Sequence, residues 1–419
     1  MIKNIAVIGS GISGLTAAYL LSKKHNVSVF EKADRIGGHT ATVDVEVDNR
    51  AYAIDTGFIV FNNKTYPNFL TLLSELGVDK QETEMSFSVK HAQTGLEYNG
   101  HNLNTLFAQR RNILNPKFWG LIREILRFNK HCKQLYASDD FSVSQTLGEF
   151  LSQHKFSDYF CQNYILPMGA AIWSSSLDDM RLFSLRFFVR FFHNHGLLNI
   201  TDRPQWYVIP KGSRSYLEPL IEPFKNDIHL DQNIKGITRR NNKVQLIFEN
   251  KTLEFDEVVV ACHSDQALAL LDDATELESE ILGSIPYRSN DVVLHTDSDI
   301  LPQRRKAWAS WNYQLGLSSS RPACVTYNMN TLQGLKSDTT FCVTLNQTER
   351  IEPSKVLGRF NYHHPVYSIE SLAAQQRKQE ICGIKHTHFA GAYWYNGFHE
   401  DGVKSAVEIA KRFGCGFDE

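Results

Sequence analysis

Ile5-Ala6-Val7-Ile8-Gly9-Ser10-Gly11-Ile12-Ser13-Gly14 is a short β-branched run that stops at three glycines spaced G-x-G-x-x-G. An apolar helical pattern follows, with Leu15, Ala18, Tyr19 and Leu21. Strand, tight turn and helix are predicted in that order. In such a unit Gly9 makes the turn, Gly11 lets a pyrophosphate approach the backbone, and Gly14 lets helix pack on strand, with Ser13 in the first helical turn. The helix N-terminus then turns its free N–H groups and positive dipole end toward the phosphates. A second strand, Val27-Ser28-Val29-Phe30, ends at Glu31 and Lys32. A carboxylate there, about 20 residues beyond the glycines, accepts hydrogen bonds from both ribose hydroxyls and repels a 2′-phosphate. The pattern predicts an ADP-containing dinucleotide and disfavours NADP.

Ile5 to Ser22 carries no charge and follows Lys3, in the manner of a signal peptide. Three glycines would weaken a spanning helix, and no other stretch offers about 20 apolar residues in a row. A soluble, cytoplasmic chain that keeps its N-terminus is expected. Across 419 residues, 42% are hydrophobic and 21% charged, a globular composition of about two to three domains. Lys plus Arg number 44 against 46 Asp plus Glu, a formal charge of −2, so no global field attracts nucleic acid and none is expected as a partner. The seven cysteines form no C-x-x-C pair, which argues against a disulfide framework or a structural zinc site. Neither G-x-S-x-G nor H-E-x-x-H occurs, which lowers hydrolase and zinc-protease readings. Paired histidines such as His363-His364 lack a third ligand at motif spacing, so no metal is expected.

Beyond Glu31, Arg35-Ile36-Gly37-Gly38 places a cation and two flexible backbone units, continued by His39 and Thr40, where a longer dinucleotide has its second phosphate and ribityl chain. G-S-G-I-S-G and E-K-A-D-R-I-G-G near the N-terminus, with F-A-G-A-Y-W-Y-N-G-F-H-E-D-G-V-K-S-A near the C-terminus, together resemble the flavin-containing amine oxidoreductase superfamily. The resemblance implies an α/β chain with a Rossmann-like FAD-binding domain of the glutathione reductase type and a second, α+β substrate domain. Both are discontinuous: residues 1–80, 206–265 and 384–419 form the cofactor domain, and 81–205 and 266–383 the substrate domain. It also implies that Ile234 offers its backbone to adenine and that Gly57 and Phe58 wall the isoalloxazine. Gly391, a helix N-terminus near Gly402, and Val403 would lie beside the flavin pyrimidine ring, where the dipole favours negative charge. No cysteine lies between Cys382 and Cys415, where thioether-forming relatives carry theirs, so the FAD is expected to be non-covalent.

Aromatic residues make up 11% of the chain, which suits an apolar tunnel better than a sugar pocket. Phe183, Phe187 and Phe191 fall on one helical stripe and Phe188 and Phe192 on another, as in a core helix or a channel wall. From Pro116 to Tyr136, Phe118, Ile122 and Ile125 share one face and Arg123, Arg127 and Lys130 another, as in a solvated surface helix or one lying on an anionic bilayer. Y-I-L-P-M-G-A-A-I-W-S, F-F-H-N-H-G-L-L, R-P-Q-W and A-W-A-S-W-N-Y resemble a bacterial subgroup of flavoproteins associated with cyclopropane fatty acid synthases, and that likeness covers nearly the whole chain. It implies a fatty acyl or phospholipid substrate, methyl-branched or cyclopropane-related. A synthase-like methyltransferase would be the partner if the chain were an accessory subunit, and the basic face of Pro116–Tyr136 is where peripheral contact at the inner face of the cell membrane would lie. Lys211-Gly212-Ser213 departs from relatives that carry two glycines before the serine, so the turn there is expected to differ. His399, Tyr393, His295 and Tyr313 are the candidates for a proton acceptor or polar orienter. An isomerase, an amine oxidase and a non-catalytic accessory subunit are the competing readings.

Overall fold

Ile5, Val7, Val27, Val29 and Val259 pack on one face of a sheet, and Ala6, Ile8, Phe30, Val258 and Val260 pack on the other. Burial on both faces is why these strands read as unbroken apolar runs. The computed structural model describes residues 1–142, 144–316 and 318–417. Its central sheet runs Ile228–His229, Asn26–Phe30, Asn4–Ile8, Glu257–Val260, Thr387–Phe389, with every pair parallel. Helices Ile12–Ser22 and His399–Arg412 cover one face. A three-stranded antiparallel sheet, Gly236–Arg240, Lys243–Ile247 and Thr252–Phe255, and helices Ser264–Leu270 and Glu276–Gly283 cover the other. Nearly every residue of Ile12–Ser22 is buried, so the uncharged stretch is explained by burial on all sides of a helix.

A second sheet of seven strands runs Val356–Pro365, Tyr287–His295, Cys342–Leu345, Val325–Asn328, Trp311–Leu315, Phe87–His91, Glu97–Asn99. Only the pairing of Trp311–Leu315 with Phe87–His91 is parallel. Helices Pro116–Ser138, Leu147–Gln153, Leu177–Leu182 and Leu185–Asn194 gather an aromatic core that includes Phe118, Phe128, Phe150, Phe188 and Phe192. Helix Asp158–Phe160 runs through a π-helical turn at Cys161–Ile165 into Leu166–Trp173. Pro167 has no N–H for the Asn163 carbonyl, and the Tyr98 hydroxyl donates to that carbonyl instead (2.5 Å).

Several expected elements shift. Phe183 falls outside the aromatic helix because its carbonyl accepts from Leu147 N (2.8 Å), ending Leu177–Leu182 one residue earlier. The last helix begins at His399, three residues before Gly402. At Lys211-Gly212 both residues take positive φ, +64° and +92°, so the lysine adopts the left-handed backbone that a glycine would take without Cβ strain. Among the described residues no helix is long and apolar enough to cross a membrane.

Candidate active site

The glycine turn is built as a backbone cradle. Gly9 takes φ +98°, and a Cβ on Gly14 would lie 1.9 Å from the Gly9 carbonyl oxygen, so only glycine lets the helix start this close to the strand. A Cβ on Gly11 would meet nothing within 4 Å, leaving its backbone open to a ligand. Gly11 caps helix Ile12–Ser22 without a side-chain bond, and no acidic residue stands in the first turn. The first N–H groups and the dipole are therefore available to an anion. The Glu31 carboxylate accepts from Ser10 N (2.8 Å), Ser10 Oγ (2.7 Å) and Ala33 N (2.9 Å), which holds it at the carboxyl end of its strand. Gly37 N donates to the Ser10 carbonyl (2.9 Å), seating the Gly37-Gly38 turn beside the first.

One cavity of about 1080 Å³ joins this cradle to an aromatic lobe. Gly9, Gly11, Ser13, Glu31, Lys32, Gly37, Gly38 and Ile234 line the cradle end, and His39, Gly57, Phe58, Gly391, Tyr393 and His399 line it farther along. Tyr98, Tyr164, Ile172, Trp173, Phe191 and Trp311 belong to the aromatic lobe. The mouths of the glycine turn and of strand Glu257–Val260 meet here, at the carboxyl ends of parallel strands, where open α/β sheets hold their ligands. Among the described residues, His39 Nε2, the Tyr367 hydroxyl and the Tyr393 hydroxyl are buried without a hydrogen-bond partner, and all three residues line the cavity. Unpaired polar atoms against an open backbone cradle fit a bound dinucleotide with a polar ring system.

The remaining expected residues lie elsewhere. Arg35 does not line the cavity: it donates to the Ile36 and Gly38 carbonyls (3.3 and 3.0 Å) and braces the glycine turn. Thr40 is buried behind the wall, bonded to the Tyr216 hydroxyl. Gly14 and Gly402 are packing positions; a Cβ on Gly402 would lie 2.7 Å from Ile12 Cγ2. Val403 is buried in the core under the sheet. The helix end near the cavity also carries Glu400 and Asp401 in its first turn. Glu400 accepts from Asn68 N and Phe69 N (3.1 and 2.9 Å), capping helix Pro67–Glu75.

Of the four polar candidates, two reach the cavity. His399 stacks on Phe58, its Nε2 bonded to the Tyr216 hydroxyl (2.7 Å), and burial drives its pKa far down, so the imidazole is neutral. Burial pushes the Tyr393 phenol up, so its hydroxyl stays protonated. His295 and Tyr313 do not line the cavity. His295 Nδ1 accepts from Asp297 N (3.0 Å) and Nε2 meets Thr344 Oγ1 (2.7 Å) within the seven-stranded sheet, while Tyr313 is buried in the aromatic core.

His263, Tyr287, His363, His364 and Tyr367 line the cavity and were not among the expected site residues. His263 stacks on Tyr287 at 4.1 Å between centroids. Burial lowers the pKa of His39 to about 3 and of His263 and His364 to about 4. His263 lies three residues beyond the apolar strand Val258-Val259-Val260, and that strand-end position was the available signal. Tyr287 opens a strand of the second sheet and Tyr367 lies just beyond its edge strand Val356–Pro365, where only the folded contacts select them.

Over 19% of the chain, the sequence is 39% identical to 4,4'-diapolycopen-4-al dehydrogenase of Metabacillus indicus, a match covering 16% of that protein. A stretch covering 23% of the chain is 36% identical to 1-hydroxycarotenoid 3,4-desaturase of Flavobacterium sp. (strain P99-3), over 18% of its length. These matches span under a fifth of either relative's length. A solved fatty acid isomerase from P. acnes superposes with TM-score 0.68 at 15% identity over 98% of both chains, which is a likeness of fold. The model of the flavin containing amine oxidoreductase family matches residues 12–320, so the chain belongs to that family, and the dinucleotide for which its cradle is built is FAD.

Proposed function

We propose that the protein is an FAD-dependent oxidoreductase that forms a double bond in an apolar, fatty acyl chain, methyl-branched or cyclopropane-related. One observation carries this: the cavity continues from the cradle into a lobe of aromatic and aliphatic side chains, and Glu31 is the only carboxylate among its described lining residues. Glu31 is already engaged by Ser10 and Ala33. A protonated amine entering the lobe would meet no counter-ion, and an unpaired buried charge is strongly disfavoured. An acyl chain needs only dry, shaped surroundings.

FAD, held non-covalently, supplies a two-electron acceptor when bound. The chain's own part is positioning. Phe58 and His399 form a flat wall, the neutral imidazole is tethered by Tyr216, and the Tyr393 hydroxyl stays protonated on a residue that lines the cavity. Desaturation removes a hydride and a proton from adjacent carbons, and His399, neutral at pH 7, is the side chain suited to pass that proton on. Exposed Leu103, Ile113, Leu114 and Trp119 share a segment with exposed Arg110, Arg111 and Lys117, a mixture that supports peripheral contact with an anionic bilayer.

Anaerobic mixing with an acyl lipid tests the proposal. Bleaching of the flavin with a product two hydrogens lighter by mass spectrometry is expected. Steady oxidised flavin with a product of unchanged mass would instead make the protein an isomerase. Bleaching by alkylamines and not by lipids would overturn the acyl reading.

A further inference from the structure

We propose that Arg203 anchors the anionic head of the acyl substrate, so that the chain enters the aromatic lobe tail-first toward Phe398 and His399. The inference rests on the acyl reading above and adds which end of the substrate is recognised, and by what.

Lys32 and Arg203 are the only lysine or arginine side chains lining the cavity among the described residues, and Lys32 belongs to the nucleotide end beside Glu31. Arg203 is exposed and lies between helix Leu185–Asn194 and strand Trp206–Val208. Its Nε donates to the Asn199 carbonyl (3.0 Å), and among the described residues it has no hydrogen-bonded or ion-paired carboxylate. The neighbouring acid, Asp202, is engaged by Lys64 (3.7 Å). The outer guanidinium N–H groups are thus free, in the planar fork that grips a carboxylate or phosphate through two parallel bonds.

The loop is held in place. Gly196 takes φ +68° and approaches Pro204 so closely that a Cβ would lie 2.6 Å from its Cδ. Arg203 is also near enough to Tyr164, itself a lining residue, to pull against the upward shift that burial gives that phenol. From Arg203 inward the wall continues through Leu197 and His195. Next comes Phe191, stacked on His195 at 3.8 Å, and then Phe398, 5.1 Å from Phe191 and adjacent to His399. A cation at the exposed end and an apolar run to the His399 end match an amphiphile with one anionic terminus. Because the guanidinium stays at the solvent edge, the pair avoids the desolvation cost of a buried ion pair.

The test uses flavin-loaded protein, following the flavin absorption spectrum during titration with dodecanoate, dodecyl phosphate and 1-dodecanol at pH 8. Wild-type protein is expected to bind an anion about 10-fold more tightly than the alcohol, a gap that shrinks with added salt. Arg203→Gln should close the gap, and Arg203→Lys should restore part of it. Preference for dodecanoate identifies a free acid and preference for dodecyl phosphate a phospholipid head; either supports the anchor. Equal binding of all three by wild-type protein, or a gap that survives in Arg203→Gln, would overturn it and leave the acyl reading standing. No spectral response to any of the three would overturn both.

Discussion

Phe58 and His399 stack face to face, their centroids 3.6 Å apart and their planes 7° from parallel. Phe58 follows strand Arg50–Asp55 and His399 opens the last helix, so the pair joins the two ends of the chain across the cavity wall. Phe69 meets both rings edge-on, at 5.4 and 5.0 Å, and Tyr216 fixes the imidazole from behind. The wall is therefore rigid before any ligand arrives, which lowers the ordering cost of binding.

Phe58→Ala should lower stability by about 1–3 kcal/mol, the value of a largely buried aromatic ring, and weaken flavin binding about 10-fold. Phe58→Tyr keeps the stack and should leave both near wild type. Urea denaturation and flavin-fluorescence titration measure the two effects, and an alanine variant with unchanged flavin affinity would remove Phe58 from the cofactor wall.

Gly11 and Gly14 make opposite predictions from the same motif. Gly14→Ala puts a Cβ against the Gly9 carbonyl, so the turn must move, at a cost of about 1–3 kcal/mol typical of overpacking. Gly11 has φ −69° and ψ 177°, which alanine adopts freely, and a Cβ there meets open space. Gly11→Ala should change stability by less than about 1 kcal/mol while reducing flavin affinity 10-fold or more. If Gly11→Ala kept full affinity, the cradle would not be where the pyrophosphate lies.

The cradle was legible because its chemistry is local: a strand, three glycines and an acid at fixed spacing determine one another within the first 31 residues. The aromatic lobe was legible only as composition. Which rings face the cavity depends on how the second sheet meets the first, and sequence periodicity does not encode that meeting. His295 and Tyr313 were misplaced for this reason: His295 is bonded within its own sheet and Tyr313 packs into the aromatic core without reaching the cavity. Two guanidinium nitrogens of Arg35 find carbonyls of its own loop, a local competition that spacing alone does not reveal. Helix His399–Arg412 begins three residues before Gly402 because Asp401 accepts from Phe398 N (2.9 Å), capping its first turn.

His295 gives a pH prediction independent of the cofactor. Burial lowers its pKa from 6.5 to about 4, so between those values the unfolded chain binds more protons than the folded one. Stability from this group is present above about pH 6.5 and is lost as pH falls through about 4. His39, His195, His263 and His364 are depressed in the same direction. Asp55 and Asp401 oppose them: burial raises Asp55 to about 6 and Asp401 to about 7, so their contributions are lost as pH rises from about 4 through those values. The five histidines outnumber these two carboxyls, and stability should fall from pH 6.5 to 4. Denaturant midpoints across that range should show a shallower slope for His295→Gln, and a flat wild-type profile would contradict burial of these imidazoles in neutral form.

Tyr393 separates a structural hydroxyl from a ligand-facing one. The ring is buried against Trp394, with centroids 4.8 Å apart. The Trp394 indole N–H, close enough to draw the phenol's titration downward, is committed to the Phe389 carbonyl (3.0 Å), which leaves the Tyr393 hydroxyl without a partner among the described residues. A buried hydroxyl with no partner in the protein destabilises the fold, so Tyr393→Phe should leave thermal stability unchanged or raise it. If that hydroxyl hydrogen-bonds a ligand in the cavity, the same variant should bind flavin or turn over acyl substrate about 3–10-fold less well, the value of one neutral hydrogen bond. A calorimetric scan paired with flavin titration and steady-state kinetics checks both halves. Lower thermal stability would mean that the hydroxyl is satisfied within the protein, and unchanged affinity together with unchanged turnover would remove Tyr393 from the site.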